Sequence, residues 1–249
     1  MQLTGNTILV TGGGNGIGRG LATALHRMGN RVVIAGRRRA PLEAVTGANP
    51  GMRYLQLDQG DPEDVRRFTA EVTDRFPGLD VVINNAGISH VEDLATGDTE
   101  TAQAIVEVNL LGPIRLTSEL LPTLMSRPRA AILNVTSGLA FVPNASMPTY
   151  CATKAALHSY TQSLRFQLRD TAVQVIEIIP PRVRTELADG LDLDPDTMMP
   201  LNSYVAETMS LLQAQPQATE IVVERVKPQW LATRGETYDR FYAAYNTAL

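Results

Sequence analysis

The chain has 249 residues, a length that allows one large domain or two small ones. Hydrophobic residues make up 44% and charged residues 19%, which indicates a globular protein and excludes disordered, collagen-like and coiled-coil chains. The formal net charge of −4 provides no overall basic surface, so neither nucleic acid nor a membrane is an expected partner.

Short apolar runs rich in β-branched residues alternate with longer amphipathic stretches. The runs predict strands at Thr7–Val10, Arg31–Ala35, Met52–Leu57, Asp80–Ile83, Ala130–Val135, Val173–Ile179 and Glu220–Val226. The amphipathic stretches predict helices at Ile17–Met28, Pro41–Thr46, Pro62–Phe76, Thr99–Met125 and Met147–Arg169. Connections of this length favour crossovers between parallel strands over hairpins. We therefore expect one doubly wound α/β domain over residues 1–249, with helices on both faces of a parallel sheet.

The alternating pattern ends after Thr185. Residues 186–200 are rich in aspartate, glycine and proline and predict a surface loop beside the substrate. Residues 236–248 place aromatic side chains at helical spacing. They predict an amphipathic C-terminal helix that packs on the domain or on a second subunit.

A glycine-rich turn, residues 11–18, follows the first predicted strand and precedes a helix. Gly12 permits a tight turn, Gly16 lets the backbone approach a pyrophosphate, and Gly18 lets the helix pack close to the strand. Backbone amides at the helix start would face the phosphates. Dinucleotide-binding residues are therefore expected at Gly12, Asn15, Gly16, Ile17 and Gly18, the alternative being an ordinary turn.

Three consecutive arginines, residues 37–39, follow the second strand at the position where NAD-binding folds usually place an acid. A guanidinium grips a ribose 2′-phosphate, whereas an acid repels it. The sequence therefore predicts NADP(H), with Arg37 as the main contact and Arg38 as the second; the alternative is a solvated basic turn. Asp58 and Gln59 end the third strand and are expected beside the adenine, although Asp58 could instead be a loop or helix-capping acid.

Further motifs follow the later strands in order. They are Asn84-Asn85-Ala86-Gly87, Asn109, Ser137, Tyr150-x-x-x-Lys154 and the segment Pro180-Pro181-Arg182-Val183-Arg184-Thr185. Together with the glycine-rich turn, they resemble the short-chain dehydrogenase/reductase family over essentially the whole chain. The resemblance implies a seven-stranded Rossmann sheet in the order 3-2-1-4-5-6-7. It also implies hydride transfer between a nicotinamide and a carbonyl or an alcohol.

The spacing of Tyr150 and Lys154 has a direct chemical interpretation. Residues four apart on a helix share a face, and a neighbouring ammonium is expected to lower the pKa of a phenol toward neutral pH. Tyr150 is then the proton donor in reduction and the base in oxidation. Ser137 is expected to hydrogen-bond the same substrate oxygen. The resemblance implies that Lys154 also holds the nicotinamide ribose and that Asn109 positions a water linking Lys154 to solvent.

Two other segments are expected to contact the cofactor. Small residues after the fourth strand let the adenine ribose lie against the backbone, and the segment after the sixth strand should wrap the nicotinamide carboxamide. The expected contacts are Asn85, Ala86, Gly87, Pro180, Val183 and Thr185. Pro181 stands where the family usually has glycine, which stiffens the start of the substrate loop. With the tandem arginines, this feature resembles the DltE-type members of the family, a label that fixes no substrate.

The residues expected around the substrate are mostly apolar: His90, Leu139, Phe141, Leu187 and Met198. They predict a medium-sized, mainly apolar ketone or aldehyde. Two other functions stay open, namely reduction of a C=N or C=C bond and a non-catalytic NADPH-binding sensor or scaffold. The resemblance also implies a homodimer or homotetramer built through the two longest predicted helices.

The cysteine and histidine content argues against metal and disulfide chemistry. Cys151 is the single cysteine and cannot form an internal disulfide, and the three histidines are scattered along the chain. Residues 1–5 have no basic region, and the apolar run after them is too short for a signal or membrane segment. We therefore expect no metal ion, no targeting segment and a location in the cytoplasm.

Overall fold

The strands of this chain form one parallel sheet in a computed structural model that describes residues 1–97, 99–188 and 195–232. The seven strands are β1 (Thr7–Thr11), β2 (Arg31–Gly36), β3 (Arg53–Gln56), β4 (Leu79–Asn84), β5 (Ala130–Val135), β6 (Val173–Ile179) and β7 (Glu220–Val222). Their order is β3-β2-β1-β4-β5-β6-β7, and every neighbouring pair is parallel. The predicted doubly wound sheet and its strand order are confirmed.

Helices cover both faces of the sheet. They are α1 (Gly16–Arg27), α2 (Arg39–Ala48), α3 (Pro62–Arg75), α4 (Glu100–Val106), α5 (Gly112–Met125), α6 (Pro148–Gln167), α7 (Leu201–Ala214) and α8 (Lys227–Leu231). In β1, Ile8 and Val10 pack into the core that contains α1, α2 and α7, whereas Leu9 packs into the core that contains α3, α5 and α6. This alternation explains the continuous apolar runs, because a strand covered on both faces buries every side chain.

Three elements differ from the sequence prediction. The long helix predicted from residue 99 to residue 125 is interrupted by a π-helical turn, Glu107–Leu111, which carries Asn109. The last strand ends at Val222, and Glu224–Val226 form a 3-10 turn, because the exposed charged residues there do not fit a sheet. The helix α7 was not predicted, since its buried face combines Tyr204 and Thr208 with leucine and lacks a clear apolar stripe.

Some predicted segments lie outside the described residues. These are the C-terminal helix predicted over residues 236–248 and residues 189–194 of the loop predicted over residues 186–200. The described parts of that loop form two 3-10 turns, Glu186–Ala188 and Pro195–Thr197. Within the described ranges, every helix is too short or too polar to cross a membrane.

Candidate active site

Residues that follow six of the strands, β1 to β6, meet in one cleft at the carboxyl edge of the sheet. The cleft has a volume of about 360 Å³ and lies where β1 neighbours both β2 and β4, the point at which the strand order reverses. Doubly wound sheets bind ligands at this point because the connections on either side leave in opposite directions. Most of the expected cofactor residues line it: Gly12, Asn15, Gly16, Ile17, Arg37, Arg38, Asp58, Gln59, Asn85, Ala86, Gly87, Tyr150, Lys154, Pro180 and Thr185.

The glycine-rich turn leaves its backbone bare toward this cleft. Gly12 has a φ of +65°, and a Cβ on it would lie 2.8 Å from the Cα atom of Ala86. Gly18 is not part of the cleft lining; a Cβ there would lie 2.3 Å from the Gly12 carbonyl oxygen. Gly18 therefore permits the contact of α1 with the turn. The cradle at the N-terminus of α1 fits a dinucleotide pyrophosphate, which requires backbone amides without side chains in the way.

The turn is fixed to the end of β4 by hydrogen bonds that Asn85 and Ala86 make with Thr11 and Gly12. The Asn85 side-chain nitrogen donates to the Thr11 carbonyl oxygen at 2.9 Å. The Thr11 hydroxyl accepts from the backbone nitrogens of Asn85 and Ala86 at 3.1 and 3.0 Å. Thr11 was missed as a site residue, although its position directly before the glycines was a usable signal. Asn85 thus shapes the cleft by holding the protein backbone.

The three arginines after β2 have different surroundings. Arg37 and Arg38 are exposed and line the cleft. In the amide orientation that satisfies both of its polar atoms, the Asn15 side-chain oxygen contacts the Arg38 guanidinium and its nitrogen donates to the Gly14 carbonyl oxygen at 2.7 Å. Arg39 instead pairs with Glu43 at 2.8 Å on the surface of α2. Among the described residues Arg37 has no carboxylate partner, so this end of the cleft presents positive charge.

Asp58 and Gln59 both reach the cleft, but they already make contacts within the protein. Asp58 accepts a hydrogen bond from the Gly60 backbone at 3.1 Å, and it is Asp61 that caps α3. The buried Gln59 amide donates to the carbonyl oxygens of Val108, at 2.7 Å, and Ala86, at 3.3 Å. Gln59 therefore ties the π-helical turn to the segment after β4.

The expected catalytic residues lie between the cleft and a second cavity. Tyr150 lines both, Lys154 lines the cleft, and Ser137 lines the second cavity. The Lys154 ammonium lies 5.7 Å from the centroid of the Tyr150 ring and donates to the Val135 carbonyl at 2.9 Å. The Ser137 hydroxyl accepts from the Leu139 backbone at 3.1 Å. A reacting group in the second cavity can therefore meet both hydroxyls.

Burial dominates the titration of the two α6 residues. It raises the pKa of Tyr150 to about 12, although a hydrogen bond with Ser137 acts in the lowering direction. It lowers the pKa of Lys154 to about 8. The pKa of Tyr150 therefore lies above that of a free phenol and not below it as expected, because the loss of hydration is the largest influence on it. Tyr150 keeps its proton at neutral pH, as a proton donor requires.

Asn109 lies on the π-helical turn and fixes the chain after β4. Its side-chain oxygen accepts from the Ile88 nitrogen at 2.8 Å, and its nitrogen donates to the Ile88 carbonyl at 2.8 Å. A Cβ on Gly87 would lie 3.2 Å from the Asn109 side-chain oxygen and 3.9 Å from the Lys154 ammonium. The asparagine and the lysine therefore flank Gly87. The water-positioning role of Asn109 stays a prediction.

Glu186 places a carboxylate at the expected phosphate site and was not predicted there. One oxygen accepts from the Gly16 backbone nitrogen at 3.0 Å, and the other lies 3.4 Å from the Arg19 guanidinium. The N-terminal end of a helix attracts anions, so the carboxylate holds the position that suits a phosphate. Thr185, directly before it, lies against Gly16. The segment after β6 thus covers the glycine-rich turn.

The second cavity has a volume of about 350 Å³ and a largely apolar wall. Of the expected substrate residues, Leu139 and Leu187 line it. Three others are not among its described lining residues: Phe141 packs edge-on against the His158 ring, Met198 is buried, and His90 is exposed. Val183, expected at the cofactor, lines this cavity instead. The lining residues that were not predicted from the sequence include Met147, Arg182, Arg225 and Gln229.

Comparison with known proteins identifies the family. Residues 6–196 match the family model of short chain dehydrogenases. The uncharacterized oxidoreductase DltE of Bacillus subtilis (strain 168) is 41% identical over 252 residues, which cover 99% of both chains. This chain therefore belongs to the short-chain dehydrogenase/reductase family of oxidoreductases, as its motifs indicated.

Two solved structures share the fold. A short chain dehydrogenase from Burkholderia cenocepacia J2315 in complex with NADP is 28% identical, with a TM-score of 0.79 and 98% of both chains covered. The 3-ketoacyl-(acyl-carrier-protein) reductase from Brucella melitensis complexed with NADH is 26% identical, with a TM-score of 0.80, and covers 90% of this chain and 100% of that one.

The position of Glu186 predicts that its substitution changes the affinity for the nucleotide. Glu186→Gln removes a negative charge from the expected phosphate site, so the dissociation constant for NADPH should fall by about three- to tenfold. Fluorescence titration of NADPH measures it. Glu63→Gln, which removes a charge from the exposed start of α3, should leave the constant unchanged. Equal or weaker binding by Glu186→Gln would show that the carboxylate does not compete with the nucleotide.

The pKa of Lys154 predicts how kcat depends on pH. Because burial lowers the pKa of Lys154 to about 8, the ammonium is charged below that pH and loses its charge as the pH rises through it. The charge stabilises the phenolate that Tyr150 leaves behind, so kcat for carbonyl reduction should fall above about pH 8 in proportion to the charged fraction. Initial rates at saturating NADPH measure it. A rate that stays flat well above pH 8 would contradict this assignment.

Proposed function

We propose that this chain is an NADP(H)-dependent oxidoreductase that interconverts a carbonyl and an alcohol on a small, mainly apolar molecule. The observation that carries the proposal is the position of Tyr150 between the nucleotide-sized cleft and the second cavity, with Ser137 and Lys154 on either side. The apolar wall of the second cavity supports a hydrocarbon substrate, because such walls gain affinity by removing hydrocarbon from water.

Three residues, Tyr150, Ser137 and Lys154, have separate roles in the reduction of a carbonyl. Tyr150 donates its hydroxyl proton to the carbonyl oxygen, and Ser137 donates a hydrogen bond that stabilises the charge developing there. Lys154, with its ammonium held by the Val135 carbonyl, stabilises the resulting phenolate. When bound, a reduced nicotinamide supplies the hydride to the carbonyl carbon and becomes oxidised. In the reverse direction the Tyr150 phenolate takes the proton of the alcohol.

The choice of NADP(H) rests on the arginines after β2. The Burkholderia cenocepacia relative is in complex with NADP and the Brucella melitensis relative with NADH, so family membership leaves the choice open. Arg37 and Arg38 support NADP(H), because they line the cleft with exposed guanidinium groups at a position where an NAD-binding fold carries an acid.

The alternatives differ in their products. The same tyrosine could protonate a reduced C=N or C=C bond, and a nucleotide-binding sensor would turn over no substrate. The buried Tyr150 and Lys154 favour an enzyme over a sensor, since a binding module has no use for a proton donor held between two cavities. Product analysis with ketones, aldehydes, imines and enones separates the enzymatic alternatives.

The role of Tyr150 is tested by Tyr150→Phe. Loss of the proton donor should lower kcat by about a hundredfold to ten-thousandfold, while the dissociation constant for NADPH changes little. Tyr160→Phe is the matched control, since Tyr160 lies on the same helix and outside both cavities within the described structure. Near-normal turnover by Tyr150→Phe would reject this mechanism.

Cofactor preference is tested by Arg37→Asp. The new carboxylate repels a 2′-phosphate and accepts from a 2′-hydroxyl, so the ratio of KM for NADPH to KM for NADH should rise by about tenfold to a hundredfold. Arg39→Asp is the control, because Arg39 is the third of the three consecutive arginines and pairs with Glu43 outside the cleft. An unchanged ratio in Arg37→Asp would remove the NADP(H) assignment.

A further inference from the structure

Two arginines line the otherwise largely apolar second cavity. Arg182 comes from the segment after β6, and Arg225 comes from the 3-10 turn after β7. Both guanidinium groups reach Thr197: an Arg182 nitrogen lies 3.4 Å from the threonine hydroxyl, and an Arg225 nitrogen lies 3.0 Å from its carbonyl oxygen. Two distant parts of the chain therefore bring two positive charges to one residue at the wall of the cavity.

Within the described residues, the two guanidinium groups contact a hydroxyl and backbone carbonyl oxygens, which carry no charge. Arg225 also donates to the Asp196 carbonyl oxygen at 3.4 Å, which is a backbone group. Within the part of the chain that the structure describes, neither Arg182 nor Arg225 forms an ion pair with a carboxylate. Each guanidinium carries five N–H donors, so most of their donor capacity is not used by the contacts to Thr197 and Asp196.

We propose that the substrate carries an anionic group, a carboxylate in the first instance, that binds to Arg182 and Arg225 while its carbonyl or alcohol meets Tyr150 and Ser137. This inference rests on the proposed function, since it assigns a substrate class to the same cavity. Two like charges near one residue repel each other, and an anion between them relieves that repulsion and accepts from both planar groups. An oxo acid or hydroxy acid with a hydrocarbon spacer matches the cavity.

The arginines therefore act as specificity residues away from the reacting carbon. A contact to a remote group of the substrate is made equally in the ground state and in the transition state, so its loss raises KM and leaves kcat nearly unchanged. The contact is also electrostatic and partly exposed, so salt should weaken it. Neither effect is expected for a substrate whose acid is masked as a methyl ester.

The test compares oxo acids and hydroxy acids of increasing chain length with their methyl esters, on the cofactor-loaded protein. Calorimetry measures dissociation constants, and steady-state assays measure kcat and KM. For the preferred acid, the double variant Arg182→Gln/Arg225→Gln should weaken binding and raise KM by about tenfold to a hundredfold. The ester should change by less than about threefold. Arg182→Lys/Arg225→Lys keeps the charge but loses the planar fork, and its effect should lie in between.

Arg184→Gln is the matched control. Arg184 is an exposed arginine two residues from Arg182, and it is not among the described residues that line the cavity. It should leave both ligands unaffected. If native protein binds acids no more tightly than esters, or if the double variant weakens both equally, the inference is overturned. Acids that bind through the two arginines but are never turned over would support anion binding at this site and reject the proposed function. Equal turnover of acids and esters would overturn the inference and support the proposed function.

Discussion

Close backbone contact at the end of β1 is the constraint on which the rest of the site depends. Gly12 lies against Ala86, and Gly18 lies against the Gly12 carbonyl, at distances that leave no space for a Cβ. Asn85 and Thr11 hold this contact with hydrogen bonds across the ends of β1 and β4. The first turn of α1 thereby directs backbone amides to the cleft, where the Glu186 carboxylate accepts from the Gly16 amide. The chain after β4 is fixed where it borders the cleft.

A second set of contacts connects the fixed chain after β4 to the surroundings of the proton donor, Tyr150. Gln59 and Asn109 connect the π-helical turn to the segment after β4, and Asn109 flanks Gly87 on the side where the Lys154 ammonium lies. Lys154 is buried and held by a backbone carbonyl. Burying a cation costs stability and lowers its pKa. The site thus keeps a positive charge near Tyr150 at neutral pH, close to the limit at which burial would remove it.

Local patterns predicted the parts of this protein that depend on local chemistry. Strand periodicity and crossover length predicted a parallel sheet with helices on both faces, and the resemblance to the family implied its strand order. The glycine-rich turn and the spacing of Tyr150 and Lys154 placed their residues at one edge. What the patterns missed depends on tertiary packing. Arg225 reaches the second cavity only because the chain returns after β7, and Glu186 reaches Gly16 across most of the sequence. The pKa of Tyr150 depends on how deeply α6 is buried, which spacing does not determine.

In the proposed reaction, hydride moves between a nicotinamide and a carbon atom in the cavity beside Tyr150. An isotope-transfer experiment measures this movement. The protein is incubated with a carbonyl substrate and NADPH deuterated at the reactive nicotinamide carbon, in each of its two stereoisomeric forms, and the product is examined by mass spectrometry and NMR. We expect that one form delivers deuterium to the carbinol carbon of the product. Tight binding of both forms, with no deuterium leaving the nicotinamide for any carbonyl compound, would contradict it.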